Sequence, residues 1–132
     1  MIVLVDTSVW VRFLANQAPY AAGVNHLLQL EMVVAHDFVY GELLAGDLGA
    51  RQKFLGWYSK MLRAQLRPHQ EVVNLVRTEK LHGRGAGWVD LHLLASALDG
   101  GMALWTADRR LAAIADELGI AYRIENRLAE LN

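Results

Sequence analysis

Four acids in this 132-residue chain stand where carboxylates are hard to explain one by one. Asp6 ends the apolar run "MIVLV" and is followed by two hydroxyls, Thr7 and Ser8. Glu42 lies in "DFVYGELLAG", Asp90 in "WVDLHLLASAL" and Asp108 in "LWTADRRL". Each has an ordinary use: Asp6 could satisfy turn amides, Asp108 could cap a helix, and Asp90 suits the first turn of one. Glu42 is the hardest to dismiss. Its helical neighbours three and four positions away are Phe38, Val39, Ala45 and Gly46, a face that should pack and that leaves a lone charge uncompensated.

Brought together, the four would repel. Two carboxylates about 5 Å apart at an effective dielectric near 20 oppose each other by roughly 3 kcal/mol, and four of them make several such pairs. Protonation or divalent cations would relieve this. With no cysteine in the chain, a set of hard oxygen donors selects Mg²⁺ or Mn²⁺ over zinc. Two such ions can bind a phosphodiester, activate a water and stabilise the leaving oxygen. Thr7, Ser8 and Thr106 would then orient the carboxylates or ligand waters.

The elements that must position these residues follow from apolar periodicity. Short apolar runs over 2–5, 32–35, 102–105 and 121–124 predict strands. Helical patterns cover 9–15, 21–30, 38–46 with Asp37 as cap, 51–66, 69–82, 88–98 and 109–119. The loop 83–87, "GRGAG", is the glycine-dense stretch. Strands alternating with helices indicate an α/β domain with a mostly parallel sheet covered on both faces. Sites in such sheets form beyond the carboxyl ends of the strands. Asp6 directly follows the first strand, Glu42 lies early in the helix after the second, and Asp108 is three residues past the third.

Composition sets limits. Apolar residues are 54% and charged residues 20% of the chain, which suits a globular domain rather than a disordered segment; the length is that of one domain, 1–132. The apolar start has no basic lead-in and meets Asp6 at once, unlike a signal peptide. A cytoplasmic location is expected. Net charge is −1, yet ten of the 13 basic residues are arginine, the better residue for forked contacts to phosphate.

The four motifs together resemble the PIN-domain family, and within it the VapC-type toxin ribonucleases of bacterial toxin–antitoxin pairs. "VDTSVW", "GELLAG", "WVDLHLLASAL" and "LWTADRRL" occur in family order and spacing. The resemblance implies a three-layer α/β/α sandwich and Mg²⁺- or Mn²⁺-dependent cleavage of RNA. It carries over Asp6 and Asp90 as principal metal ligands, Glu42 and Asp108 as the rest of the acidic pocket, and Thr106 as its supporting hydroxyl. It also implies a homodimer, silenced by a small antitoxin whose tail covers the site. Nothing transfers to residues 51–87, which carry no motif.

Three rivals use similar parts. A receiver-like signalling domain needs paired acids after strand one and a late lysine, whereas Asp6 is alone and the lysines (Lys53, Lys60, Lys80) lie mid-chain. An aspartyl phosphatase needs an acid where Ser8 stands. An inactive PIN scaffold would be expected to have lost some of the four acids. Elsewhere, the five histidines lack metal-site spacing and read as structural or solvated, Trp88 and Trp10 as core. Arg84, Arg109 and Arg110 are candidate phosphate contacts that the sequence does not rank.

Overall fold

A computed structural model of the chain describes residues 1–47 and 51–124. Its centre is a parallel sheet of three strands, β1 (Val3–Val5), β2 (Val33–Val34) and β3 (Ala103–Trp105), in the order β2-β1-β3. β1 pairs with both neighbours, Val3 beside Val33 and Ala103, Val5 beside Trp105. All three residues of β1 are inaccessible to solvent. Adjacent strand residues face opposite sides, so burial of every one requires helical cover on both faces. The expected α/β architecture is therefore present.

Among the described residues the helices are α1 (Thr7–Leu14), α2 (Tyr20–Gln29), α3 (Asp37–Ala45), α4 (Arg51–Tyr58), α5 (His69–Glu79), α6 (Trp88–Gly100) and α7 (Arg109–Glu117). None is long and apolar enough to cross a membrane. The core runs through β1, through Trp10 and Val9 of α1, and through Leu93, Leu94 and Ala97 of α6, a helix buried at every residue from Leu91 to Ala97. Trp10 packs its ring against Phe13, Phe54 and Tyr58, mostly edge-on, the arrangement favoured by ring quadrupoles. α2 approaches the sheet closely at Gly23, where a methyl group would stand 2.7 Å from the Trp105 ring.

Several expected boundaries differ, each for a local reason. α1 starts two residues early, at Thr7, because Asp6 takes the cap position and its carbonyl accepts from Val9 and Trp10. The helix expected over 51–66 stops at Tyr58. Beyond it Ala35 N–H donates to Leu62 and Ala64 N–H to Ala35, so the chain is recruited to the open edge of β2, an outcome that sheet edges favour over local propensity. The expected strand 121–124 is reduced to one bridge between Leu104 and Ala121.

The cap of α3 is His36, not Asp37. Its backbone is extended and Nδ1 accepts the Phe38 N–H at 3.0 Å. On the other side of the ring, Nε2 is 3.0 Å from Ser96 Oγ. The one proton of Ser96 goes to the Gln65 carbonyl, so Nε2–H must be the donor and the ring is neutral. Burial, opposed by nearby Asp37 and reinforced by His92, lowers the His36 pKa to about 4. This neutral ring ties α6 to the start of the helix that bears Glu42.

A folded pKa below the unfolded value means that the unfolded chain binds the extra proton first as pH falls. The His36 contribution is thus fully present above about pH 6.5 and is lost on acidification towards pH 4. Between pH 7 and pH 5 this amounts to about 2 kcal/mol. Urea unfolding across that range should show the loss in the wild type and a flatter profile in His36→Gln. Equal slopes in the two proteins would contradict the assignment.

Candidate acidic site

The β1–β3 ladder is continued one residue beyond the strand by Asp6, whose N–H donates to the Trp105 carbonyl at 2.9 Å. Its side chain makes no cap bond, so the turn-amide explanation fails. Instead Oδ2 accepts from Ser8 Oγ at 2.7 Å and from Thr106 Oγ1 at 2.8 Å. Each hydroxyl then accepts a backbone N–H from the turn after β3: Ala107 donates to Ser8 and Asp108 to Thr106, both at 3.0 Å. The two hydroxyl oxygens are also 3.2 Å apart, so the pair and the Asp6 carboxylate form one small network. Asp6 is 4% exposed, and no described residue donates to its Oδ1. The turn after strand three thereby fixes a carboxylate at the end of strand one.

Glu42 is reached from the same corner. Thr7 Oγ1 donates to Glu42 Oε1 at 2.6 Å, linking α1 to α3. The sequence placed Glu42 on a packed face; the structure places it at the surface, because α3 turns Val39 and Leu43 inward instead. Asp108 does cap α7, its Oδ1 accepting from Arg110 and Leu111, which leaves its second oxygen uncommitted among the described residues. Asp90, in the first turn of α6, accepts the Gly87 N–H through Oδ2 at 3.0 Å. The helical duties suggested for Asp90 and Asp108 are real. Each uses one carboxylate oxygen of the two.

Electrostatics bring the four together. The Asp90 pKa is raised, first by burial and then by the charges of Asp6, Glu42 and Asp108, against the lowering effect of the Gly87 N–H. Asp90 thus feels each of the other three acids. Among the described residues no three His, Asp or Glu side chains are grouped so as to hold a metal ion. Mg²⁺ seldom relies on an all-protein cage. The ion keeps several waters and takes one or two carboxylates, with phosphate oxygens completing its shell. Asp6 and Asp90, each with an oxygen to spare, have the hard donor chemistry such an ion needs.

A sequence profile of the PIN domain matches residues 3–117, an interval that contains all four acids. The chain belongs to the PIN-domain family. It is 39% identical over 120 residues to Ribonuclease VapC32 of two Mycobacterium tuberculosis strains, CDC 1551 / Oshkosh and H37Rv, covering 90% of this chain and 94% of each relative. The crystal structure of PAE2754 from Pyrobaculum aerophilum shares the fold, with a TM-score of 0.63 at 22% identity, covering 99% of this chain and 95% of that one.

Within this PIN domain some sequence readings change. Trp88 is not core: it is 43% exposed, tilted against His69 and edge-on to His92. Arg84 is ion-paired with Glu117 and so committed away from solvent phosphate. His36 and His92 are buried, as structural histidines should be. Sequence inspection missed His36 as the anchor of α3; a histidine directly before "DFVYGE" was the available signal, masked by the better-known capping residue beside it.

The raised Asp90 pKa implies a stability cost. A carboxyl whose folded pKa exceeds the unfolded value loses stability as pH rises through the folded pKa, so at neutral pH the charged form is a burden. Asp90→Asn keeps an acceptor for Gly87 and removes the charge. Its thermal midpoint in metal-free buffer at neutral pH should exceed that of the wild type, and the gap should close towards acidic pH. A midpoint lower than wild type at neutral pH would rule out electrostatic strain at Asp90.

Proposed function

We propose that this PIN domain is a metal-dependent endoribonuclease of the VapC toxin type. The observation that carries the reading is that the charges of Asp6, Glu42 and Asp108 all act on Asp90, in a chain similar over 90% of its length to a protein named as a ribonuclease. Asp6 and Asp90 hold Mg²⁺ or Mn²⁺, with Glu42 and Asp108 completing the pocket. When bound, the ion supplies positive charge against a phosphodiester and makes water a stronger nucleophile at neutral pH.

The chain's own residues set the stage for that chemistry. Ser8 and Thr106 hold one oxygen of Asp6 and leave the other without a donor among the described residues. Thr7 restrains Glu42, which without it would sample rotamers freely at the surface. Asp90 retains its proton to higher pH than an ordinary aspartate and yields it when positive charge enters. In the overall reaction a water oxygen bonds to phosphorus, the bond to the 3′ oxygen breaks, and that oxygen takes up a proton. The products carry 5′-phosphate and 3′-hydroxyl ends. The protein acts in the cytoplasm as a homodimer, and a cognate antitoxin neutralises it by covering the acidic site.

Purified protein with Mg²⁺ or Mn²⁺ should cut RNA to those ends, and EDTA should stop it. Asp6→Asn should abolish cleavage while leaving the fold intact. Thr106→Val, which removes a support and not a ligand, should cost about 10- to 100-fold in activity or metal affinity. Undiminished cleavage in EDTA would defeat the metal mechanism; full activity in Asp6→Asn would defeat the site. In bacteria, induction of the wild type should arrest growth and Asp90→Ala should not. Equal growth would count against the toxin role and would favour the inactive scaffold if cleavage were also absent.

A further inference from the structure

The two arginines after Asp108 diverge. Arg109 lines a shallow depression together with Asp116 and Arg123. Arg110 turns to the loop 83–87. A methyl group built on Gly85 would stand 2.5 Å from Arg110 Cδ, 2.7 Å from Nη1 and 3.1 Å from Nε. The stem and guanidinium therefore lie against bare backbone, at a residue whose φ of +85° itself favours glycine. Among the described residues no carboxylate is ion-paired with Arg110, whereas Arg84, one residue before that glycine, is spent on Glu117.

The location gives this seat a meaning. Gly85 is two residues from Gly87, whose N–H holds Asp90, and two residues reach at most about 7 Å. On the other side Arg110 is two residues past Asp108, which caps its own helix through the Arg110 N–H. The guanidinium thus sits between the segments that carry Asp90 and Asp108. The charges acting on Asp90 are nonetheless all acidic, so Arg110 does not neutralise the pocket. It is an exposed cation lying against the loop that leads to Asp90.

We propose that Arg110 binds a backbone phosphate of single-stranded RNA next to the phosphodiester being cleaved. The inference rests on the ribonuclease reading above. An acidic pocket repels the polyanion it must admit, and a cation beside the loop that leads to Asp90 offsets that repulsion. A guanidinium offers a two-pronged contact to phosphate, and its glycine seat reduces the rotamer freedom lost on binding. The role is recognition of the backbone, independent of base sequence.

The test uses the full-length chain in an Asp6→Asn background, so that RNA survives, and a fluorescein-labelled single-stranded oligoribonucleotide in Mg²⁺ buffer. Binding is followed by anisotropy between about 50 and 200 mM salt. Arg110→Gln should weaken binding several-fold at low salt and reduce the slope of log affinity against log salt by about 0.7, the value for one phosphate contact on a single strand. Arg110→Lys should keep the slope and lose part of the affinity. Arg77→Ala, an exposed arginine on α5, should match the parent slope, which controls for net charge. A parent slope in Arg110→Gln, with wild-type cleavage intact, would overturn the role of Arg110 alone. Absence of both cleavage by the wild type and binding by the parent would overturn the underlying reading as well. If Arg110→Gln fails to fold by circular dichroism, the lysine variant decides: reduced affinity supports the proposal and unchanged affinity refutes it.

Discussion

The bond between Asp6 N–H and the Trp105 carbonyl is the constraint from which the candidate site follows. It aligns the ends of β1 and β3, so that the turn after one meets the carboxyl group after the other. A polar group buried without partners costs roughly 2–7 kcal/mol. Ser8 and Thr106 return much of that through two hydrogen bonds, each worth about 1.5–3 kcal/mol to a charged acceptor. That cost is for a neutral group, and an ionised carboxylate costs far more, so the two bonds do not offset it. Stability alone therefore gives no reason to keep an acid at this position; an apolar residue would serve a strand end as well. What the arrangement gains is position, one oxygen held and the other left without a donor among the described residues.

Position matters because the other acids are placed by different means. Asp108 is held by its own helix, Asp90 by a loop amide, Glu42 by a hydroxyl from α1. These three anchors lie on different elements, α7, the loop before α6 and α1, and the parallel sheet sets those elements side by side. The raised pKa of Asp90 comes first from burial, and the charges of the other three acids add to it; Glu42 and Asp108 are exposed, where water and salt screen their charges. A closed cage of four carboxylates would be far costlier in the absence of cations.

The acids and their hydroxyl supports were legible in the sequence because strand ends are marked by sharp changes from apolar to polar residues, as in "LVDTS" and "LWTAD". The sheet-edge rule then places them without knowledge of packing. Glu42 was identified by the wrong argument. Its neighbours are small and apolar, yet α3 buries Val39 and Leu43 and leaves Glu42 in solvent, a choice made by tertiary contacts that periodicity over one short helix does not resolve. The same limit explains α4, where a helical pattern continues past Tyr58 while the chain itself is drawn to the β2 edge. Trp88 reads as core by composition and is exposed because His69 and His92 offer it only a partial bed. The partner of each arginine was out of reach for sequence alone, since Glu117 and Gly85 become neighbours of Arg84 and Arg110 through the fold.

His36 joins the hydrophobic interior to this electrostatic surface. Its ring spans from Ser96, inside α6, to the first free amide of α3. A proton added to Nδ1 would face the Phe38 N–H, donor against donor, and release the cap of the helix that carries Glu42. Burial sets the cost of that event and keeps the ring neutral well below physiological pH. Asp90 and Glu42 belong to α6 and α3, the same two helices that His36 clamps. A core residue that bonds to neither acid thus ties together the two helices that carry them.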